Sequence, residues 1–285
     1  MADGTAQGRW RRLRLPGWIG EIVLVVVLYL IYELARGVPD GAQASADHVG
    51  RTLLRWEHAL HIDPEKWLTV HLDHVTWLAV PASYFYAAAH YVVTPIVLIW
   101  LYVRHRHAYT RGRTWLAIST LMSLLIFYLV PTTPPRLLGR GFPDVLKDMS
   151  DYGWWGGAGS APRGLGHLTN QLAAMPSMHV GWALWCGVMI YRSAPYVWVR
   201  ALGVLYPCVT TIVVISTGNH YLLDTVGGAL TMAVGAALTM LAYRLRDRLL
   251  GRYRARLAAP DASASEPVEH EQLAAAQNSL HTTRG

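Results

Sequence analysis

Residues 198–243 read WVRALGVLYPCVTTIVVISTGNHYLLDTVGGALTMAVGAALTMLAY and decide the fold class. Two long apolar runs, 198–217 and 221–243, flank a short polar stretch that contains Asn219 and His220. A helix that crosses a bilayer needs about 20 mostly apolar residues, and both runs reach that length. The stretch therefore predicts two membrane-spanning helices joined by a short polar turn.

Four further apolar runs complete a bundle of six predicted spans; they cover about residues 19–36, 77–103, 114–131 and 172–192. The composition agrees, because 53% of the 285 residues are hydrophobic and only 15% are charged, against roughly 25% charged in soluble domains. These values argue against a disordered chain and against an ordinary soluble enzyme. The sequence predicts an all-α polytopic membrane protein, a six-transmembrane-helix bundle.

Arginines outside the predicted spans indicate the orientation of the bundle, because Lys and Arg accumulate on the cytoplasmic side. With six spans, the N-terminus, the loops after spans two and four and the C-terminal segment lie on one side. Each is basic, with Arg9, Arg11, Arg12, Arg14, Arg104, Arg106, Arg111, Arg113, Arg192, Arg200, Arg244, Arg246, Arg248, Arg252, Arg254 and Arg256. We therefore expect a multi-pass plasma membrane protein with both termini in the cytoplasm. The formal charge of +7 then reflects topology, and no nucleic-acid partner is expected.

The chain divides into three predicted regions. Residues 1–18 form a basic cytoplasmic N-terminus, residues 19–243 form the membrane catalytic domain, and residues 244–285 form a cytoplasmic tail that is basic and then disordered. Two long segments of the membrane domain face outward. The amphipathic segment 37–76 predicts short interfacial helices, and the Gly- and Pro-rich segment 132–171 predicts an irregular loop. The aromatic residues Tyr152, Trp154 and Trp155 of this loop favour a position on the bilayer surface.

Polar residues accumulate at three places that the predicted topology puts on the same outer face. These are 131–136 (PTTPPR), 170–179 (NQLAAMPSMH) and 216–224 (STGNHYLLD). Ionisable residues within membrane segments are candidates for function. We therefore expect one composite extracytoplasmic site made of Arg136, Ser177, His179, Asn219, His220 and Asp224.

The spacing of the two histidines and the carboxylate suits phosphoryl transfer. His220 and Asp224 are four residues apart, hence on one face of a helix. A carboxylate there can accept a hydrogen bond from one ring nitrogen and leave the other nitrogen free to attack. His179 could protonate a departing oxygen. Taken alone, His220 and Asp224 could equally be a structural pair.

Two further residues suit an oxyanion. Pro176 is typical of the first turn of a helix, where backbone N–H groups near Ser177 would bind phosphate oxygens. Arg136 has a planar donor fork for the same group, although taken alone it could be an interface residue. Together the six residues predict metal-independent transfer through a phosphohistidine, with no cofactor.

Other histidines have simpler interpretations. His90 in the second predicted span is interpreted as a satisfied polar residue. The pairs His58/His61 and His71/His74 have a spacing that zinc sites use, but no third ligand is evident, so we interpret them as a solvated helix face.

The motifs resemble those of the type 2 phosphatidic acid phosphatase superfamily. AMPSMHVGWAL (174–184) is similar to its second signature and STGNHYLLDTVGG (216–228) to its third. With PTTPPRL (131–137), the chain looks most like the inositol phosphorylceramide synthase-type branch and its bacterial relatives. The resemblance implies a six-helix bundle, a lipid phosphate substrate and catalysis without metal. It also implies that His220 is the nucleophile, Asp224 its orienting carboxylate and His179 the general acid.

Two departures from the family pattern concern cations. The first signature of the phosphatases has a lysine seven residues before its arginine, where this chain has Leu129, and the third has an arginine where this chain has Val214. Asn219 could take part of that role, and Arg140, Lys147 or Arg163 could fold in from the long loop. Fewer cations favour a phosphodiester or diphosphate over a phosphomonoester dianion.

Three functions remain open at this point. The first is a phosphotransferase that moves a phospho-head group, such as inositol phosphate, between membrane lipids, with an alcohol as acceptor. The second is a phosphatase or diphosphatase that acts on phosphatidate or a polyprenyl diphosphate, with water as acceptor. The third is a non-catalytic protein that binds or transports lipid, which the complete set of His179, His220 and Asp224 argues against.

Overall fold

The computed structural model describes residues 42–155, 159–161, 163–164 and 170–258, together with residues 19–21, 23, 27 and 30. Helices dominate these residues, and the only β-type pairing among them is one isolated bridge between Thr132 and Ala173. The eight α-helices that have bounds are α1 (Ala42–Leu60), α2 (Glu65–Asp73), α3 (Thr76–Arg104), α4 (Arg106–Leu129), α5 (Val145–Asp148), α6 (Met178–Ser193), α7 (Val197–Ser216) and α8 (Leu222–Ala258). Two 3-10 turns, Pro135–Leu137 and Ser150–Tyr152, lie between α4 and α6. The chain divides into one unit of residues 1–239 and a second of residues 240–285.

Four of the helices are long and apolar enough to cross a membrane: α3, α4, α7 and residues Leu222–Arg256 of α8. These four helices confirm the prediction of a helical membrane protein. Of the six predicted spans, only these four have a helix of sufficient length and apolar composition among the described residues. The first predicted span, 19–36, lies mostly outside the described residues, and the six described residues within it are helical. The disorder predicted after about Leu257 also falls outside them.

The fourth predicted span begins later than expected. Instead of starting at residue 172, α6 starts at Met178 and has 16 residues, about 24 Å at 1.5 Å per residue. That is short of the roughly 30 Å of a bilayer core. The preceding backbone is not helical because it pairs with Thr132 and α8, as described below.

The basic loop predicted between spans two and three is reduced to a single residue. His105 alone separates α3 from α4, and its φ of −138° and ψ of 57° break the helix. Arg106 therefore belongs to α4, where its guanidinium lies 3.8 Å from the ring centroid of Tyr102. The final predicted span also extends further, since α8 continues through the basic stretch to Ala258.

Tryptophan side chains tie the long helices together. The indole N–H of Trp185 in α6 donates to the carbonyl of Gly112 in α4 at 2.9 Å, and that of Trp115 in α4 donates to the carbonyl of Met232 in α8 at 2.7 Å. Such buried N–H groups need a partner. The aromatic residues therefore set the spacing of α4 against α6 and α8.

The two segments that face outward in the predicted topology contain helices that are separate from the long apolar ones. Segment 37–76 contains two helices, α1 and α2, and the described part of 132–171 contains no helix longer than α5. Trp155 departs from the expected position on the bilayer surface, because it is fully buried and donates to the carbonyl of Leu146 at 2.6 Å, whereas Tyr152 and Trp154 are exposed. Trp155 packs in one apolar cluster with other loop residues and with Leu72 and Ala79 of α2 and α3.

Candidate active site

Backbone hydrogen bonds join the first two polar segments. The N–H of Thr132 donates to the carbonyl of Leu172 at 2.6 Å, and the N–H of Ala174 donates to the carbonyl of Thr132 at 3.2 Å. This short parallel pairing uses residues after the end of α4 and residues before the start of α6. It holds 131–136 and 170–179 side by side.

The third polar segment, 216–224, closes the cluster through two more backbone bonds. The N–H of Arg136 donates to the carbonyl of Gly218 at 2.9 Å, and the N–H of Ser177 donates to the carbonyl of Asp224 at 2.9 Å. Gly218 has a φ of 69°, which glycine adopts without steric strain. The structure thus brings the three predicted segments together where α4 and α7 end and α6 and α8 begin.

The ring of His220 is buried and its Nδ1 faces two oxygens. The carbonyl oxygen of Ala174 lies 2.9 Å away, and Oδ2 of Asp224 lies 3.4 Å away. A carbonyl oxygen only accepts hydrogen bonds, so Nδ1 carries a proton, and in the neutral ring the lone pair is then on Nε2. Asp224 was the predicted orienting group. The nearer acceptor in the structure is the backbone of Ala174, which the side-chain motif does not reveal.

Asp224 is completely buried and also caps its own helix. Its Oδ2 accepts a hydrogen bond from the N–H of Tyr221 at 3.0 Å, and its Oδ1 has no donor among the described residues. A side chain at the third helical position that reaches back to the residue before the helix is typical of capping boxes. The carboxylate therefore fixes the start of α8 and faces His220 at the same time.

His179 lies beside His220, with ring centroids 5.6 Å apart in an edge-to-face arrangement. The ring of Tyr86 from α3 stacks on His179 at 4.5 Å with an interplanar angle of 22°. Nε2 of His179 has no hydrogen-bond partner in the described part of the chain. The second histidine is thus held by an aromatic face and keeps a nitrogen free for proton transfer.

A third histidine joins this pair, contrary to its interpretation as a satisfied polar residue. The ring of His90 in α3 lies 4.3 Å from that of His179, and Nδ1 of His90 is buried without a partner among the described residues. A signal was present in the sequence, since Tyr86 and His90 are four residues apart and therefore share one face of α3.

Ser177 is the N-cap of α6 rather than a residue of its first turn. Its Oγ accepts from the N–H of Val180 at 3.4 Å, and the side chain is buried. Serine is a preferred N-cap because its oxygen satisfies a free amide. In this contact the hydroxyl oxygen acts as an acceptor, so the bond does not use the hydroxyl hydrogen.

The guanidinium of Arg136 is already engaged by three side chains. Nε donates to Oδ1 of Asn219 at 2.8 Å, Nη1 pairs with Oδ2 of Asp144 at 2.8 Å, and Nη2 donates to Oε1 of Gln171 at 3.4 Å. The arginine side chain is 3% exposed. Asp144 thus neutralises the guanidinium charge that was expected to bind phosphate, and Asp144 belongs to none of the three polar segments.

Asn219 serves Arg136 rather than pointing freely into the site. Its Oδ1 accepts from Arg136, and its Nδ2 donates to the carbonyl and the hydroxyl oxygen of Thr217 at 3.2 and 3.1 Å.

Of the proposed replacement cations, Arg163 donates to carbonyls of the loop itself, while Arg140 and Lys147 are exposed.

Two buried glutamates are the other residues that the motifs missed. Glu57 in α1 and Glu65 in α2 have no exposed surface, and both contact the N-terminus of α8. Their positions are in phase with buried residues, at 46, 50, 53 and 57 in α1 and at 65, 69 and 72 in α2. This helical periodicity was a readable signal that the acids face the core.

The remaining histidines keep their simple interpretation where contacts are described. Nδ1 of His58 lies 2.9 Å from Oδ2 of Asp63, and Nδ1 of His71 donates to the carbonyl of Trp67 at 2.7 Å. The described residues contain no group of three or more His, Cys, Asp or Glu that could hold a metal ion.

Comparison with known proteins adds one family match. The model of the PAP2 superfamily matches residues 51–238, which include every site residue named above. No curated protein and no solved structure gives a significant match.

Proposed function

Because the chain belongs to the PAP2 superfamily, whose members are generally phosphatases and phosphotransferases, we propose that it is a lipid phosphotransferase. Superfamily membership itself indicates a membrane enzyme of the lipid phosphatase or phosphotransferase type. The proposed reaction moves an inositol-phosphate-like head group from one membrane lipid to the hydroxyl of another. We place the chain with the inositol phosphorylceramide synthase-type branch because of its motifs.

The observation that carries the proposal is the state of His220. Its Nδ1 is held by Ala174 and Asp224, so Nε2 has a lone pair for attack on phosphorus. In the first step an N–P bond forms at Nε2 and the P–O bond to the departing lipid alcohol breaks. The leaving oxygen takes a proton from His179. In the second step His179 takes the proton of the acceptor hydroxyl, whose oxygen displaces His220 from phosphorus. Neither step needs a metal ion or a cofactor.

The phosphate would be held by the Ser177 hydroxyl, the start of α6 and Arg136, with Asn219 keeping Arg136 in place. The charge balance supports a phosphodiester over a phosphomonoester. Asp144 already pairs with Arg136 at 2.8 Å, and the carboxylate of Asp224 lies nearby. A diester carries one negative charge and needs less neutralisation than a monoester dianion.

The positions of the arginines support an extracytoplasmic site in the plasma membrane. Arg104 and Arg106 lie where α3 ends and α4 begins, and Arg192 and Arg200 lie near the junction of α6 and α7. The catalytic segments lie at the opposite ends of α4, α6 and α7, so the positive-inside rule puts them outside. The test of this topology is Leu137→Cys in a chain with Cys208→Ala, in which the remaining Cys186 is buried, labelled with an impermeant maleimide on intact cells. Labelling only after lysis refutes it.

The decisive test uses purified protein in detergent with EDTA. Labelled phosphatidylinositol, phosphatidate and a polyprenyl diphosphate are offered separately, with and without a lipid alcohol. We expect a new head-group lipid that requires the alcohol, and an acid-labile phosphoprotein when the alcohol is omitted. His220→Ala should remove both products, whereas the exposed His58→Ala should change neither.

Each other result points elsewhere. Free phosphate released by water alone would make the protein a phosphatase and refute transfer. More than a few per cent of activity in His220→Ala would remove His220 as the nucleophile, and strong inhibition by EDTA would refute metal independence. The absence of any product from all three donors would favour the lipid-binding alternative.

A further inference from the structure

Two glutamates from separate helices bind the first turn of α8. Oε1 of Glu65 accepts a hydrogen bond from the N–H of Leu222 at 2.8 Å, and Oε1 of Glu57 accepts one from the N–H of Leu223 at 2.6 Å. Both glutamates have zero exposed surface. The first amides of a helix lack intrahelical partners, so these carboxyl groups satisfy two of them.

The second oxygens of the two carboxyl groups are buried without a donor. Oε2 of Glu57 and Oε2 of Glu65 have no hydrogen-bond partner among the described residues. A buried carboxylate oxygen without a donor is costly, so burial favours the protonated form of these groups. A protonated carboxyl group still accepts the hydrogen bond of a backbone N–H, so the glutamates can hold the turn while uncharged.

We propose that Glu57 and Glu65 position His220 and Asp224 through the first turn of α8. Leu222 and Leu223, whose amides the pair binds, lie between the two catalytic residues in the chain. Holding these two amides sets the rotation of the turn, and with it the approach of Asp224 to the His220 ring. The pair touches no reacting atom in this scheme, so both glutamates are positioning residues. The kinetic part of the inference rests on the proposed function.

The charges around the pair keep one proton bound at neutral pH. Burial raises the pKa of Glu57 to about 8, and burial also raises the pKa of Glu65. The groups that face them are acidic or neutral: Asp224 raises the pKa of Glu57, Asp63 raises that of Glu65, and the phenol of Tyr221 lies in the field of both glutamates.

Two measurements test the protonation of the glutamates and their bonds to the turn without any activity. Infrared spectroscopy in detergent at neutral pH should show the carbonyl stretch of a neutral carboxylic acid, and Glu57→Gln combined with Glu65→Gln should remove it. Hydrogen exchange followed by mass spectrometry on residues 219–226 should show protected amides in the wild type and faster exchange in Glu57→Ala. Asp151→Asn, which changes an exposed acid of the outer loop, is the matched control and should leave both signals unchanged.

The kinetic test separates positioning from general destabilisation. Glu57→Gln keeps an acceptor for Leu223, so its kcat should stay within about threefold of the wild type. Glu57→Ala removes that acceptor, and a shift of about 1 Å in the turn would lower kcat roughly 100-fold with little change in KM. An unchanged infrared band in the double variant, or equal exchange in Glu57→Ala and wild type, overturns the pair. An inactive wild type with both signals as expected overturns only the proposed function.

Discussion

Gly228 lies where the helix that carries Asp224 meets the start of the helix that carries His179. A Cβ at Gly228 would clash with the backbone carbonyl oxygen of Ser177. The two atoms would be about 0.7 Å closer than the 3.0 Å that real Cβ atoms keep from neighbouring atoms. The same Cβ would also lie 3.4 Å from the backbone nitrogen of Gly181. Since both neighbours are backbone atoms, no side-chain rotation can relieve the clash.

Gly228→Ala should therefore push the start of α6 away from α8. Restoring a separation of 3.0 to 3.4 Å needs a movement of about 0.7 to 1.1 Å. A misplacement of about 1 Å costs roughly 100-fold in rate when catalytic groups must be aligned, and overpacking costs about 1 to 3 kcal/mol of stability. We expect kcat for head-group transfer to fall by about that factor, with a lower thermal unfolding temperature in detergent.

The neighbouring glycine provides a matched control. A Cβ at Gly227 would meet Met175 and Pro176 no closer than 3.5 Å, which is ordinary van der Waals contact. Gly227→Ala should leave kcat within about twofold and can raise stability, because alanine favours a helix by up to about 1 kcal/mol over glycine. Wild-type kcat in Gly228→Ala, or equal losses in both variants, would refute the reasoning that close backbone contact aligns the site.

Three further predictions concern packing, charge and pH. A Cβ at Gly235 would clash with Oγ of Ser119, so Gly235→Ala should lose about 1 to 3 kcal/mol of stability; Ser119→Gly should restore most of it, and additive losses in thermal unfolding would contradict this contact. Asp144→Asn should free the charge of Arg136 and lower the Kd for vanadate by about tenfold, or about 1.4 kcal/mol. The asparagine still accepts a hydrogen bond from the backbone of α5, so the helix start is kept. An unchanged Kd would count against Arg136 as a phosphate ligand. Burial raises the pKa of Glu57 from 4.5 to about 8, so the folded state binds this proton more tightly than the unfolded state and stability should fall as pH rises through that window. The fall should be smaller in Glu57→Gln, and equal slopes in thermal unfolding would refute the assignment.

Hydropathy predicted the long helices because their composition alone meets the requirement of a bilayer. Residues 77–103 and 198–217 became α3 and α7 with nearly the predicted bounds. For the run at 172–192, the predicted start of the helix was wrong. Hydropathy averages the composition and contains no information on the hydrogen bonds that pair the backbone before Met178 with other segments. The hydrogen bond from Ala174 to the carbonyl of Thr132 connects residues about 40 positions apart in the chain.

The partners of the site residues were largely unpredictable. His220 and Asp224 were readable as a pair because four residues span one helical turn, but the carbonyl of Ala174 that binds His220 is a backbone group and leaves no trace in composition. Asp144 reaches Arg136 from a loop whose irregular path no periodicity describes. Only long-range folding brings these groups together.

By itself, the sequence determined that the chain is a helical membrane protein and which three polar segments converge, because hydrophobic length, loop charge and helical spacing are properties of local sequence. Tertiary structure decided the rest: which oxygen holds the His220 proton, what neutralises Arg136, that His90 adjoins His179, and that Glu57 and Glu65 bind the start of α8. These depend on contacts between distant segments and on burial. Glu57 and Glu65 are acids of a type that is usually exposed to solvent. They are buried here because their oxygens accept hydrogen bonds from the buried amides of Leu223 and Leu222.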